Sequence, residues 1–137
     1  MKNSKILLIG FYCLTFIATS CLDGSKNEVN EKSLLGKWEI TEEREYSNEK
    51  LTSSVTRSGD FFEFKSGNIL IRTNPKGSVS TLDYKIVNDN ILEFETEEFG
   101  EIKVIQFEIS FNSKDSMSWS RSLSPPNRYE LQFTRRN

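Results

Sequence analysis

The chain has 137 residues, 18 of them basic and 20 acidic, with a formal net charge of −2, two cysteines and no histidine. The missing histidine excludes Ser-His-Asp and Cys-His catalysis, histidine general-base chemistry and the usual zinc and non-haem iron sites. A near-balanced charge without clustered Lys and Arg argues against a nucleic-acid surface, and the seven scattered glycines form no G-x-x-x-x-G-K phosphate loop.

Lys2 and Lys5 flank the start of an apolar run at 6–19, and the small residues Ala18, Thr19 and Ser20 then lead into Cys21. The run is shorter than the roughly 20 apolar residues of a membrane-spanning helix and has the length of a secretory signal's apolar region. This layout resembles the signal peptide of a bacterial lipoprotein. The resemblance implies that 1–20 are removed and that Cys21 becomes the lipidated N-terminus. Leu22 stands where an Asp would retain such a lipoprotein at the inner membrane, so the expected location is the cell envelope, at the outer membrane. An ordinary secretory signal cut near Ser20 is the alternative. Cys13 would be discarded, and the mature chain would then hold no thiol for a disulfide, a nucleophile or a metal site. Residues 21–32 are polar and aperiodic and read as lipidated N-terminus and flexible tether. Residues 33–137 are enough for one domain with one core.

Within that domain a helical turn at 31–35 is ended by Gly36. Helical periodicity is absent beyond it, and short alternating runs of β-branched and aromatic residues follow. They predict strands at 37–46, 51–57 (weak), 60–65, 68–72, 80–87, 91–96, 101–111, 116–122 and 128–135. Turn residues separate them: Ser66-Gly67, Asn74-Pro75-Lys76-Gly77, Asn88-Asp89-Asn90, Phe99-Gly100 and Ser124-Pro125-Pro126-Asn127. In 101–111, Ile102 and Val104 share one phase while Ile105, Phe107, Ile109 and Phe111 share the other. A β-bulge or bend near Val104-Ile105 is therefore expected. Met117, Trp119 and Arg121 share a face, as do Tyr129, Leu131 and Phe133. The fold class is all-β. An up-and-down antiparallel β-barrel of about eight strands is the simplest way to hide one apolar face and both sheet edges, and a β-sandwich is the alternative.

Leu34 to Trp38, Phe62-Glu63-Phe64 with Gly67, Tyr84-Lys85-Ile86-Val87-Asn88 and Phe133-Thr134-Arg135 follow one another in an order that resembles the lipocalin-like domains of bacterial lipoproteins. The resemblance covers roughly 33–136. It implies that Trp38, after Gly36, plugs one end of the barrel and that a basic residue of the last strand packs across it. Arg135 has the phase to do so. It also implies a cup for a small apolar or amphipathic ligand, with Phe62, Phe64, Tyr84, Phe94, Phe107 and Trp119 as candidate lining residues. These rings could equally fill a small core.

Three functions compete on this reading. A non-catalytic ligand-binding lipoprotein, held to the membrane through Cys21 and needing no cofactor or metal, is the first. An envelope protein-interaction or inhibitor module is the second, using the longer segments 42–58 and 123–128 with Tyr46, Arg57 and Arg121 as exposed anchors. An enzyme is the third, resting on the acidic cluster Glu93, Glu95, Glu97, Glu98 and Glu101. The first three of these alternate with Leu92, Phe94 and Thr96, which puts them on a solvated outer face rather than in a site.

Overall fold

The computed structural model describes residues 29–137. The expected signal segment, Cys21 and the tether up to residue 28 lie outside the described residues. One helical turn, α1 (Glu31–Leu34), precedes nine antiparallel strands: β1 (Gly36–Ser47), β2 (Lys50–Thr56), β3 (Phe61–Lys65), β4 (Ile69–Thr73), β5 (Val79–Val87), β6 (Ile91–Glu98), β7 (Glu101–Ser113), β8 (Ser116–Ser122) and β9 (Asn127–Arg136). Every strand expected from the alternation overlaps one of these. The hairpins form because their turn residues accept the left-handed region. Paired positive φ values at Asn48-Glu49, Asn88-Asp89 and Phe99-Gly100 match the twist of the strands they join.

A single sheet closes on itself. Neighbouring strands pair from β3 through β9, and β9 returns to β1, so hydrogen bonds run round a ring of eight strands. This is a near-barrel and not a two-sheet sandwich. The ninth strand, β2, stands outside the ring. Its partner β1 is long enough to pair with β3 over Gly36 to Glu39 and with β2 over Glu42 to Ser47. A register break between Ile40 and Glu42, seen against β9, separates the two halves. The segment 42–58, singled out as a longer exposed segment, is thus a β-hairpin that includes the weakly expected strand 51–57, and β2 is exposed along nearly its whole length.

The alternating inner faces meet in one core that includes Trp38, Ile40, Phe62, Phe64, Leu70, Leu92, Ile109, Met117, Trp119 and Phe133. Trp119 contacts four rings, with centroids 4.5–5.9 Å away, at Phe62, Phe64, Phe107 and Phe133. Two expectations are corrected. The β6–β7 register is unbroken through Val104 and Ile105, so there is no bulge there. Ile102 and Val104 simply point outward, 73% and 55% exposed. The register break of β7 instead lies between Phe111 and Ser113, against β8. Residues 29–32, expected as the end of a tether, are also part of the folded domain. Val29 is buried, its N–H donates to Asp89 O at 3.0 Å, and Asn30 caps α1 through a reciprocal bond with Ser33.

The two ends of the ring differ. At the closed end lie α1 and the turns after β3, β5 and β7. At the open end lie the turns after β1, β4, β6 and β8. Toward the open end two ladders stop early. The β5–β6 register ends at Tyr84/Phe94, and the β7–β8 register ends at Glu108/Ser120. β6 and β7 stay paired with each other out to Glu98/Glu101. Their outer half is thus a two-stranded ribbon flanked by a seam on each side.

Candidate functional site

The closed end is built around Trp38. Its indole N–H donates to Leu34 O at 2.7 Å, which ties α1 over the barrel. The Arg135 guanidinium lies 4.1 Å from the Trp38 ring, a cation–π contact worth about 0.5–2 kcal/mol. Arg135 also donates to Leu35 O at 2.6 Å, Ser33 O at 2.9 Å and Lys114 O at 3.2 Å. Gly36 is required twice. Its φ of +116° is one that side chains rarely adopt, and a Cβ there would stand 3.0 Å from Arg135 Nη1. Gly36, Trp38 and Arg135 thus meet in one structural plug.

The open end holds a cup of about 470 Å³. Its apolar wall comes from Ile40, Phe62, Leu82, Phe94, Ile105 and Leu131, with Phe107 and the fully buried Trp119 beneath. The volume falls within the usual range of small-ligand sites, which join mostly apolar walls to a few placed polar groups. Of the candidate lining residues, Phe62, Phe94, Phe107 and Trp119 border this cup. Phe64 and Tyr84 lie outside its wall, edge-on to each other at 5.0 Å. Tyr84 instead borders a smaller groove at the β5–β6 seam with Leu82 and Phe94. Burial raises the Tyr84 phenol above the usual tyrosine range, and its oxygen finds no hydrogen-bond partner among the described residues.

Charged side chains ring the cup. Arg57 donates to Glu43 through Nε at 2.7 Å, and Arg72 makes a two-pronged contact with Asp60 at 3.2 and 2.9 Å. Tyr129 shares this rim. Burial first, and then the Glu43 charge, push its phenol up to about 12. Arg121 is different. It is half-buried, its guanidinium lies 5.3 Å from the Phe107 ring and 5.6 Å from the Tyr129 ring, and its buried Nε finds no hydrogen-bond partner among the described residues. The three anchors expected to be exposed therefore divide. Arg57 is exposed, whereas Tyr46 is half-buried beneath Arg128 at 4.2 Å and Arg121 faces the cup.

Arg121 shares the phase of Met117 and Trp119, yet it was expected as an exposed anchor and not at the cup. The phase was the available signal. Of the acidic cluster, Glu93 is held by Lys85 at 2.6 Å and Gln106 at 2.6 Å, which lower its pKa, as expected for an outer-face carboxylate. Among the described residues no group of three or more acidic, His or Cys side chains is arranged to hold a metal ion. Compared with known proteins, the chain matches no protein-family model and none of the curated sequences.

Proposed function

We propose that this protein is a lipocalin-like lipoprotein of the cell envelope, anchored through lipid on Cys21, whose open end binds a small apolar or amphipathic ligand without catalysis. The observation that carries the reading is the division of the barrel interior. Aromatic rings fill the closed half, while the open half leaves a cup of about 470 Å³ over Phe107 and Trp119. A core that needed only to be filled would have no reason to stop halfway, since interiors are close-packed. Each methylene of a ligand placed there is worth about 0.8 kcal/mol. The carboxylates that border the cup, Glu43 and Asp60, are each engaged by an arginine, which suits a rim better than acid–base work. Val29 is fastened at the closed end beside Asp89. A lipid on Cys21 would hold the barrel by that end and leave the cup facing away from its own bilayer.

The test is to purify the full chain from expressing cells, extract it with solvent and examine the extract by mass spectrometry beside a Leu82→Trp variant, whose indole would fill the cup. A small molecule retained by the wild type and absent from the variant supports the reading. Indistinguishable extracts overturn the cup. The anchor is tested separately by intact mass: a diacyl- or triacyl-sized gain that disappears in Cys21→Ala supports it, and an unmodified Cys21 refutes it.

A second reading, a protein-contacting module, has one observation in its favour. The exposed large hydrophobics among the described residues, Leu51, Val55, Val79, Phe99, Ile102, Val104 and Leu123, all lie toward the open end. Exposed apolar side chains gathered on one side mark interaction surfaces more often than scattered ones do.

A further inference from the structure

We propose that the ligand of the cup carries an anionic head group, and that Arg121, at the seam between β7 and β8, is the residue that receives it. The inference rests on the ligand-cup reading above and names the chemistry of its polar end: an amphipath with a carboxylate or similar acid on an apolar tail.

The charges around the cup do not cancel. Three guanidiniums, Arg57, Arg72 and Arg121, border it with two carboxylates, Glu43 and Asp60. Each carboxylate is already taken, Glu43 by Arg57 and Asp60 by Arg72. Arg121 is the cation left over. It lies against the Phe107 and Tyr129 rings, whose faces attract the guanidinium but offer it no carboxylate. Tyr129 does not serve as its anion, because the phenol is pushed up to about 12 and stays neutral.

The unmet hydrogen-bonding capacity has one sign. Two residues that border the cup have a buried polar atom without a hydrogen-bond partner among the described residues, Arg121 Nε and Trp119 Nε1. Both atoms are donors, and buried donors without acceptors are costly. A group with acceptors only, such as a carboxylate, complements them, whereas an ammonium head group would add donors to donors.

The location suits a charged head. The β7–β8 ladder ends at Glu108/Ser120, one residue before Arg121. Outside that seam lies a second groove of about 650 Å³, and Ile105, Phe107 and Arg121 border both it and the cup. A head group at Arg121 would sit where the wall is open and keep part of its hydration. The tail would lie on Phe94 and Phe107. The desolvation that weakens buried ion pairs is thereby reduced.

Calorimetry on the full chain with dodecanoate and dodecan-1-ol, both below their aggregation concentrations, separates the head group from the cup. Dodecanoate is expected to bind roughly tenfold or more tightly than the alcohol, the range of one hydrogen bond to a charged group. The preference should shrink in high salt. Arg121→Gln should bind both ligands with the affinity of the alcohol, which also shows that its cup is intact, while Arg121→Lys should keep part of the preference. Equal binding of the two ligands by the wild type overturns the head-group assignment and leaves the cup standing. A preference that survives in Arg121→Gln overturns the role of Arg121. Failure of both ligands to bind the wild type overturns the cup, and this inference with it.

Discussion

Arg135 and Arg121 are both inward-phased arginines resting on aromatic rings, at opposite ends of one barrel. Arg135 is engaged at every nitrogen: Nε, Nη1 and Nη2 each donate to a carbonyl, and Trp38 takes its face. Arg121 has two rings, and its buried Nε has no acceptor among the described residues. On the proposed reading, one side-chain type closes the fold in one place and awaits a ligand in another. A residue that completes a structure has its valences met internally. A residue kept for binding carries unmet capacity, and the fold bears the cost elsewhere.

This contrast has measurable consequences for stability. Arg135→Ala should produce the largest effect, a loss of about 3 kcal/mol in chemical denaturation, because it removes the cation–π contact and three hydrogen bonds, two of them to part-buried carbonyls. Gly36→Ala should cost about 2 kcal/mol through its φ and the crowding against Arg135. Arg121→Ala should cost under about 1 kcal/mol, since giving up its packing on the Phe107 and Tyr129 rings is offset by removal of an unmet donor. A loss as large as that of Arg135→Ala would make Arg121 a structural residue and erase the distinction. Phe99→Ser and Ile102→Ser, on the exposed outer ribbon of β6 and β7, should change stability by no more than about 0.5 kcal/mol.

The smallest effect is the response to acid. The Gly59 N–H, and then Arg136, hold the Glu39 carboxyl below the usual range against the opposing effect of its burial. Arg44, and then Ser54, hold Glu42 at about 2. A carboxylate with a depressed folded pKa contributes stability that is present above its unfolded value, about 4.3, and is lost as pH falls through the folded value. Denaturation midpoints should therefore be flat from pH 7 to about 5 and fall below that. The fall should be shallower in Glu39→Gln, because Glu39 bonds to both the β9 end and the loop before β3. An identical acid limb in the variant would show that Glu39 has no part in the fall. Glu42 is solvent-screened, and Glu42→Gln should leave the curve nearly unchanged.

Much of the fold was legible because its signals are local. Alternation marked each strand of the ring, and Asn88-Asp89 and Phe99-Gly100 marked hairpins that need positive φ. The plug was expected from the family resemblance, and the phase that Arg135 shares with Leu131 and Phe133 picked out the basic residue. What was hidden depends on long-range register. β2 is exposed on both faces, so no alternation reveals it as a companion to half of β1. Ile102 and Val104 imitate a phase switch because apolar residues on an outer face read like inner ones. The seams leave no mark in the sequence, since they depend on where neighbouring ladders stop. The phase of Arg121 was plain. Its lack of an acid could not be read, because Arg57 and Arg72 claim Glu43 and Asp60 only once the strands around the cup have met.

The chain's two tryptophans stand at the two ends and report on them separately. Trp38 Nε1 is bonded to Leu34 O in the plug, while Trp119 lies beneath the cup with Nε1 unbonded among the described residues. Titrating dodecanoate into the nitrogen-15-labelled full chain should therefore shift the Trp119 indole resonance and leave that of Trp38 in place. A shift at Trp38 with Trp119 unmoved, or no shift at either, would contradict the division into a structural end and a binding end.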